Sequence, residues 1–172
     1  PIAATQDTAG PITKSVAGAA LMLDGMTGWE NDYFSGLDAS IVNGMRIGIL
    51  DYSRNDNPRL NAQFDKAIAR LQAVGAEIIH IESAPDIPPA FYSASRKVLE
   101  IEFKALLDEY LAESPADIPI RNLAELVAFN TDNAEIEQAI FGQDIFESAL
   151  GQPALSSVEY QDALTLIRDT TR

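Results

Sequence analysis

Arg46-Ile47-Gly48-Ile49-Leu50, then Leu60, Phe64, Ile68 and Leu71, then Glu77-Ile78-Ile79-His80-Ile81 together form the stretch that decides how this chain folds. The first piece is a compact apolar run that opens after Met45 and closes on a loop rich in Asp and Asn. The last is β-branched and bounded by the turn formers Pro85 to Pro89, so both read as strands. The middle piece repeats apolar side chains every three or four residues, which places them on one stripe of a helix. Gly75 stands just past that helix, where a left-handed residue without a Cβ is wanted. Strand, amphipathic helix and strand of these lengths predict a βαβ unit with parallel strands and a right-handed crossover.

Toward the C-terminus, from Phe91 onward, the pattern is almost all helical. Val98, Ile101, Ala105 and Leu106/Leu107 mark a long amphipathic helix to about Tyr110, broken by Ser114-Pro115. Leu123, Leu126 and Val127 predict a short helix; Ile136, Ile140, Phe141 and Ile145 predict a third, with Asp132 and Glu135 as its capping pair. A last helix runs from about Ser157 to Arg168. Toward the N-terminus, Trp29 to Asn43 reads as a surface connection, and a helix capped by Ser15 ends at Gly25 and Gly28. Ile2 to Thr5 reads as a short strand and Gln6 to Pro11 as a turn. The expectation is an α/β fold, a short mixed sheet with a βαβ unit followed by a mostly helical C-terminal half. It forms one segment with three parts: 1–43, strand, turn, helix and connection; 44–84, the βαβ unit; 85–172, helical.

The opening Pro1-Ile2-Ala3-Ala4-Thr5-Gln6-Asp7-Thr8-Ala9-Gly10-Pro11 and the helix Ser15-Val16-Ala17-Gly18-Ala19-Ala20-Leu21-Met22-Leu23 resemble one region of the amidase signature family. There a strand, a D-T-x-G-P turn and a helix of the form S/T-V-x-D-A-A follow one another, just downstream of the catalytic serines. The resemblance continues through Lys104, Phe129 and Phe141, and within the family it points to the bacterial peptide amidases. One departure is Gly18, where the family places Asp; it loses a capping carboxylate and adds a helix glycine, about 1 to 2 kcal/mol of local stability.

The resemblance implies a carboxamide hydrolase that works through two serines and a lysine, without a metal or organic cofactor. No run like G-G-S-S-G-G occurs in this sequence, so the catalytic residues are expected before Pro1, and this segment is expected to be silent alone. The implied substrate of the complete protein is a small amide or a peptide amide. By the same resemblance Gln6, Asp7 and Thr8 lie behind the catalytic region, where they could shape the acyl pocket, although an Asp and a Thr in such a turn more often bond nearby backbone N–H groups. Glu102-Phe103-Lys104, Ala128-Phe129-Asn130 and Phe141-Gly142-Gln143 resemble patterns on helices that wall a substrate cleft. Phe103, Phe129 and Phe141 also suit core packing, and Gln143 could hydrogen-bond a substrate amide. A noncatalytic α/β interaction module is the rival expectation, and an aminotransfer subunit that feeds ammonia to a partner is a weaker third.

Composition narrows the field. Twelve Lys+Arg against 26 Asp+Glu, a formal net charge of −14, cannot easily build the clustered basic surface that nucleic acid needs. With no cysteine there are no disulfides, thiolate nucleophiles or cysteine-based zinc sites. No apolar run approaches the roughly 20 residues that span a bilayer, and a start at Pro1 without Met suggests cleavage from something longer. Strand edges and apolar helix faces cut from a larger sheet are expected to make the isolated chain self-associate. His80 lacks any partnering nucleophile motif and reads as structural or exposed. Ser93, Ser95 and Lys97 imitate a Ser-Lys pair, but serines at a helix start are expected to cap it, and the polar setting does not bury the lysine. Asp51 to Asn57 lacks the Gly and the terminal Glu of a calcium loop and reads as a turn.

Overall fold

The computed structural model describes residues 2–171, a mixed α/β structure of two compact units. One comprises residues 9–86 and the other residues 2–8 with 87–171.

The unit 9–86 holds the predicted βαβ. Strand β1 (Arg46–Leu50) and strand β2 (Glu77–Ile81) pair in parallel, with Arg46 opposite Glu77 and Leu50 opposite Ile81. Helix α2 (Pro58–Ala73) connects them. The Asn57 side chain caps it by accepting from the N–H of Arg59 at 3.0 Å, and Pro58 occupies the first turn, where a missing N–H costs nothing. At its far end Gly75, at φ +96°, lets the Ala76 N–H reach back to the Leu71 carbonyl at 3.0 Å and its own N–H reach Gln72 at 3.0 Å. That double return satisfies carbonyls the helix would otherwise leave open.

Helix α1 (Val16–Met26) ends the same way. Gly28 donates to Gly25 at 3.3 Å and Trp29 to Asp24 at 2.8 Å, both residues lying at positive φ. Ser15 caps the start, accepting from the Gly18 N–H at 3.0 Å. Asp24, only 2% exposed, then accepts the N–H groups of Tyr33 at 2.7 Å and Phe34 at 3.0 Å, which anchors the first part of the connection to the helix.

The second unit is built on the long helix α3 (Ala90–Ala112). Ala94, Val98 and Ile101, spaced four and three residues apart, pack against Tyr160, Ala163 and Leu164 of helix α7 (Val158–Thr170), which Ser157 caps. Helices α4 (Leu123–Asp132), α5 (Ala134–Glu137) and α6 (Asp144–Leu150) complete it.

Three local expectations are corrected. Ile2 to Thr5 form no strand: a strand needs a neighbour to take its backbone groups, and here the Gln6 and Asp7 N–H groups fold back on Ala3 O at 3.3 and 2.9 Å. The third predicted helix is two, α5 and α6, separated by residues 138–143; Asp132 closes α4 instead of opening a new helix. Apolar spacing suggested one helix, but its stripe has nothing to pack on among the described residues: Ile136 is 78% and Ile140 83% exposed. The serines near the start of α3 do not cap it; Ser93 donates to Ala90 O at 2.9 Å.

Candidate functional site

Helix α3 organises the second unit because its polar residues face three different neighbours. Successive helical residues are turned by about 100°, so residues four apart share a face and residues two apart lie nearly opposite. Glu100 and Lys104 accordingly meet α6 and the segment after it. The Glu100 carboxylate accepts from Arg96 Nε at 2.7 Å, Ser148 Oγ at 2.8 Å and Gln152 Nε2 at 2.8 Å. Lys104 Nζ donates to the carbonyls of Leu150 at 3.0 Å and Gln152 at 3.1 Å, placing a cation where the dipole of α6 ends. Phe103 stacks on Phe146 with ring centres 5.6 Å apart, so it serves packing.

Glu102 faces the other way and is 2% exposed. Its Oε2 accepts the Thr5 N–H at 2.9 Å, and its Oε1 accepts the hydroxyls of Thr5 at 2.7 Å and Tyr160 at 2.7 Å. Burial, and then the bond to Glu102, push the Tyr160 phenol up to about 12, so the hydroxyl stays a donor. The turn that opens the chain is therefore fastened to the core of α3 and α7.

The candidate residues of that turn divide in their roles. Gln6 Nε2 donates to Ser95 O at 3.2 Å, a second tie to α3. Asp7 Oδ2 accepts the Ile2 N–H at 2.6 Å, closing its own turn as an Asp in such a setting often does. Thr8 is exposed. In the loop before α6, Phe141 is 80% exposed and does not pack in a core. Gln143 is buried: its Nε2 donates to Thr131 Oγ1 at 2.9 Å and Val127 O at 3.3 Å, and its Oε1 has no donor among the described residues. The Thr131 hydroxyl is itself given to Val127 O at 2.9 Å, so the amide orientation is set by what Thr131 can still accept. No hydrogen bond among the described residues joins Gln143 or Phe141 to the turn of Gln6, Asp7 and Thr8. A cavity of about 450 Å³ opens between α3 and residues 153–156, lined by Ile101, Lys104, Asp108 and Leu155.

His80, half-exposed, holds Asp51 at 2.5 Å, and Arg54 Nε donates to the same carboxylate at 2.7 Å. The bond to His80, then that to Arg54, keep the Asp51 carboxyl below the usual range. Asp51 to Ser53 form a short 3₁₀ turn. No group of three His, Cys, Asp or Glu that could hold a metal occurs among the described residues, and none of their helices is long and apolar enough to cross a membrane. The sequence reading named Glu102 only inside a pattern and missed Thr5, Tyr160, Glu100 and Asp24. Its available signal was an acid at position 102, four residues after Val98 and next to Ile101, on a helix with a buried face.

No protein-family model matches the chain. A probable amidase of Arabidopsis thaliana is 28% identical over the whole chain. The crystal structure of a peptide amidase, PAM, bound to the competitive inhibitor chymostatin superposes on 96% of the chain with a TM-score of 0.80 and 31% identity. The native peptide amidase of Stenotrophomonas maltophilia does so with a TM-score of 0.78 and 32% identity, again over 96%. This chain is similar in sequence and in fold to amidases. It is a partial amidase fold, spanning 36% of the length of each of these relatives.

Proposed function

We propose that this amidase segment belongs to a carboxamide hydrolase and lies downstream of its catalytic serines. The observation that carries the reading is the likeness to peptide amidases along 96% of the chain. In the proposed reaction an upstream serine attacks the amide carbonyl, backbone N–H groups stabilise the oxyanion, and a lysine relays protons through the second serine. Ammonia leaves, and water then releases the acyl group. The Gln6-Asp7-Thr8 turn would back the acyl pocket, the exposed Phe141 ring would offer apolar surface to a substrate, and Gln143 would hold the Phe141 loop on α4 through Thr131 and Val127.

The test is the polypeptide as its native cell makes it: intact mass, sequencing upstream of Pro1, and ammonia release from an N-acylated peptide amide. The reading expects an upstream lysine, a Gly/Ser-rich double-serine run and ammonia production, with no turnover by residues 1–172 alone. A natural chain without those residues that releases no ammonia refutes it.

A further inference from the structure

We propose that Glu102 is a positioning residue for the amidase reaction, acting by locking the turn of residues 3–7 onto the core formed by α3 and α7. The inference rests on the reading above, in which the chain that enters this turn comes from the catalytic serines.

The two ends of the lock are 97 residues apart in sequence, yet both belong to the same compact unit. Removing a carboxylate from water is unfavourable unless donors saturate it, and an apolar side chain of similar size would commonly serve a helix packing face at least as well. An acid at position 102 is therefore explained by what it holds. Its two oxygens take three donors from two directions: the backbone N–H and the hydroxyl of Thr5, and the hydroxyl of Tyr160. Two bonds to one residue fix Thr5 in angle as well as in distance. The third refers that position to α7, because Tyr160 is itself packed against Ala94, Val98 and Ile101. The Gln6 bond to Ser95 O adds a second fixed point one residue later, and the N–H groups of Gln6 and Asp7 close on Ala3 O, so the turn is tied both to α3 and to itself. A displacement of a reacting group by about 1 Å can cost on the order of 100-fold in rate. On the reading above, in which the catalytic serines precede this turn in the chain, a turn held this firmly is a means of preventing such a displacement.

Two measurements test the proposal. In the complete native-length polypeptide, Glu102→Gln and Thr5→Val are compared with wild type in ammonia release from an N-acylated peptide amide, with kcat expressed per folded molecule. Glu102→Gln turns one acceptor into a donor facing Thr5 or Tyr160, and Thr5→Val removes one hydroxyl while leaving the backbone N–H in place. The expected result is a fall in kcat of about tenfold or more with KM within about twofold, because a misplaced reacting group loses orientation and not ground-state binding. Unchanged kcat per folded molecule in both variants overturns the proposal even if their melting temperatures fall, since a merely structural role predicts that outcome. The second measurement needs no activity: hydrogen exchange at the Thr5 amide of the native-length polypeptide, expected to quicken about tenfold or more in Glu102→Gln, where a neutral amide replaces the charged acceptor. Unchanged exchange shows that the lock does not hold and overturns the proposal. A wild-type polypeptide that releases no ammonia overturns the amidase reading and the positioning role with it, whereas an active wild type with active variants overturns the positioning role alone.

Discussion

Tyr160→Phe removes one atom from the second unit and isolates one bond. The ring stays in the α3–α7 core; what is lost is the 2.7 Å hydrogen bond to Glu102 Oε1, which keeps only the Thr5 hydroxyl. A hydrogen bond to a charged partner contributes about 1.5 to 3 kcal/mol, so a loss near 2 kcal/mol at pH 7 is expected. The pH dependence adds a second expectation, set first by burial of the phenol and then by its bond to Glu102. Tyr160 is raised from the ordinary 10.0 to about 12. A raised folded-state value means that the stabilisation is complete below the unfolded value and disappears as pH climbs through the folded one. Between pH 10 and 12 the unfolded chain releases this proton while the folded chain keeps it, and at about 1.4 kcal/mol per unit the loss is on the order of 2 to 3 kcal/mol. The assay is urea unfolding of wild type and Tyr160→Phe at closely spaced pH values from 7 to 12. The other tyrosines and the lysines titrate in both proteins and cancel in the difference. The difference should be near 2 kcal/mol up to about pH 10 and shrink toward zero by about pH 12. A difference that is flat with pH, or absent at pH 7, refutes the reasoning.

Three further outcomes are expected. Gly75→Ala forces an L side chain to φ +96° with its Cβ 2.2 Å from Asn43 Oδ1, and should cost about 2 kcal/mol in thermal unfolding, part of it recovered by Asn43→Ala in the same chain. Asp24→Ala leaves the Tyr33 and Phe34 N–H groups without their acceptor and should destabilise the unit 9–86 by about 3 kcal/mol, read as faster exchange of those two amides; protection equal to wild type would show that water replaces the carboxylate at no cost. The isolated chain should sediment above its monomer mass of 18.6 kDa, and Ile140→Lys with Phe141→Asp should shift it toward monomer, since both side chains are more than three-quarters exposed.

Local chemistry was enough to read the βαβ unit. The strands at Arg46–Leu50 and Glu77–Ile81, the α2 stripe, the Ser15 cap and the glycine exits at Gly28 and Gly75 depend on propensities and turn conformations that a few neighbouring residues decide. The Asp7 turn is local in the same sense, its carboxylate reaching back only to Ile2. What failed depended on partners far away in the chain. Ile2 to Thr5 have strand-like composition, but composition does not say whether a neighbouring strand exists, and the Thr5 N–H goes to Glu102 instead. The run from Ile136 to Ile145 has helical spacing, but spacing does not say what the stripe packs on, and the helix is interrupted over residues 138–143. The sequence by itself determined the elements whose hydrogen bonds close within one turn or one βαβ unit, together with the resemblance to amidases. Only the tertiary structure decided that the exposed Thr5 and the buried Tyr160 meet on the buried Glu102 carboxylate, because the donors that make a buried acid tolerable come from positions 5 and 160, and that pairing follows from how the chain packs rather than from any spacing along it.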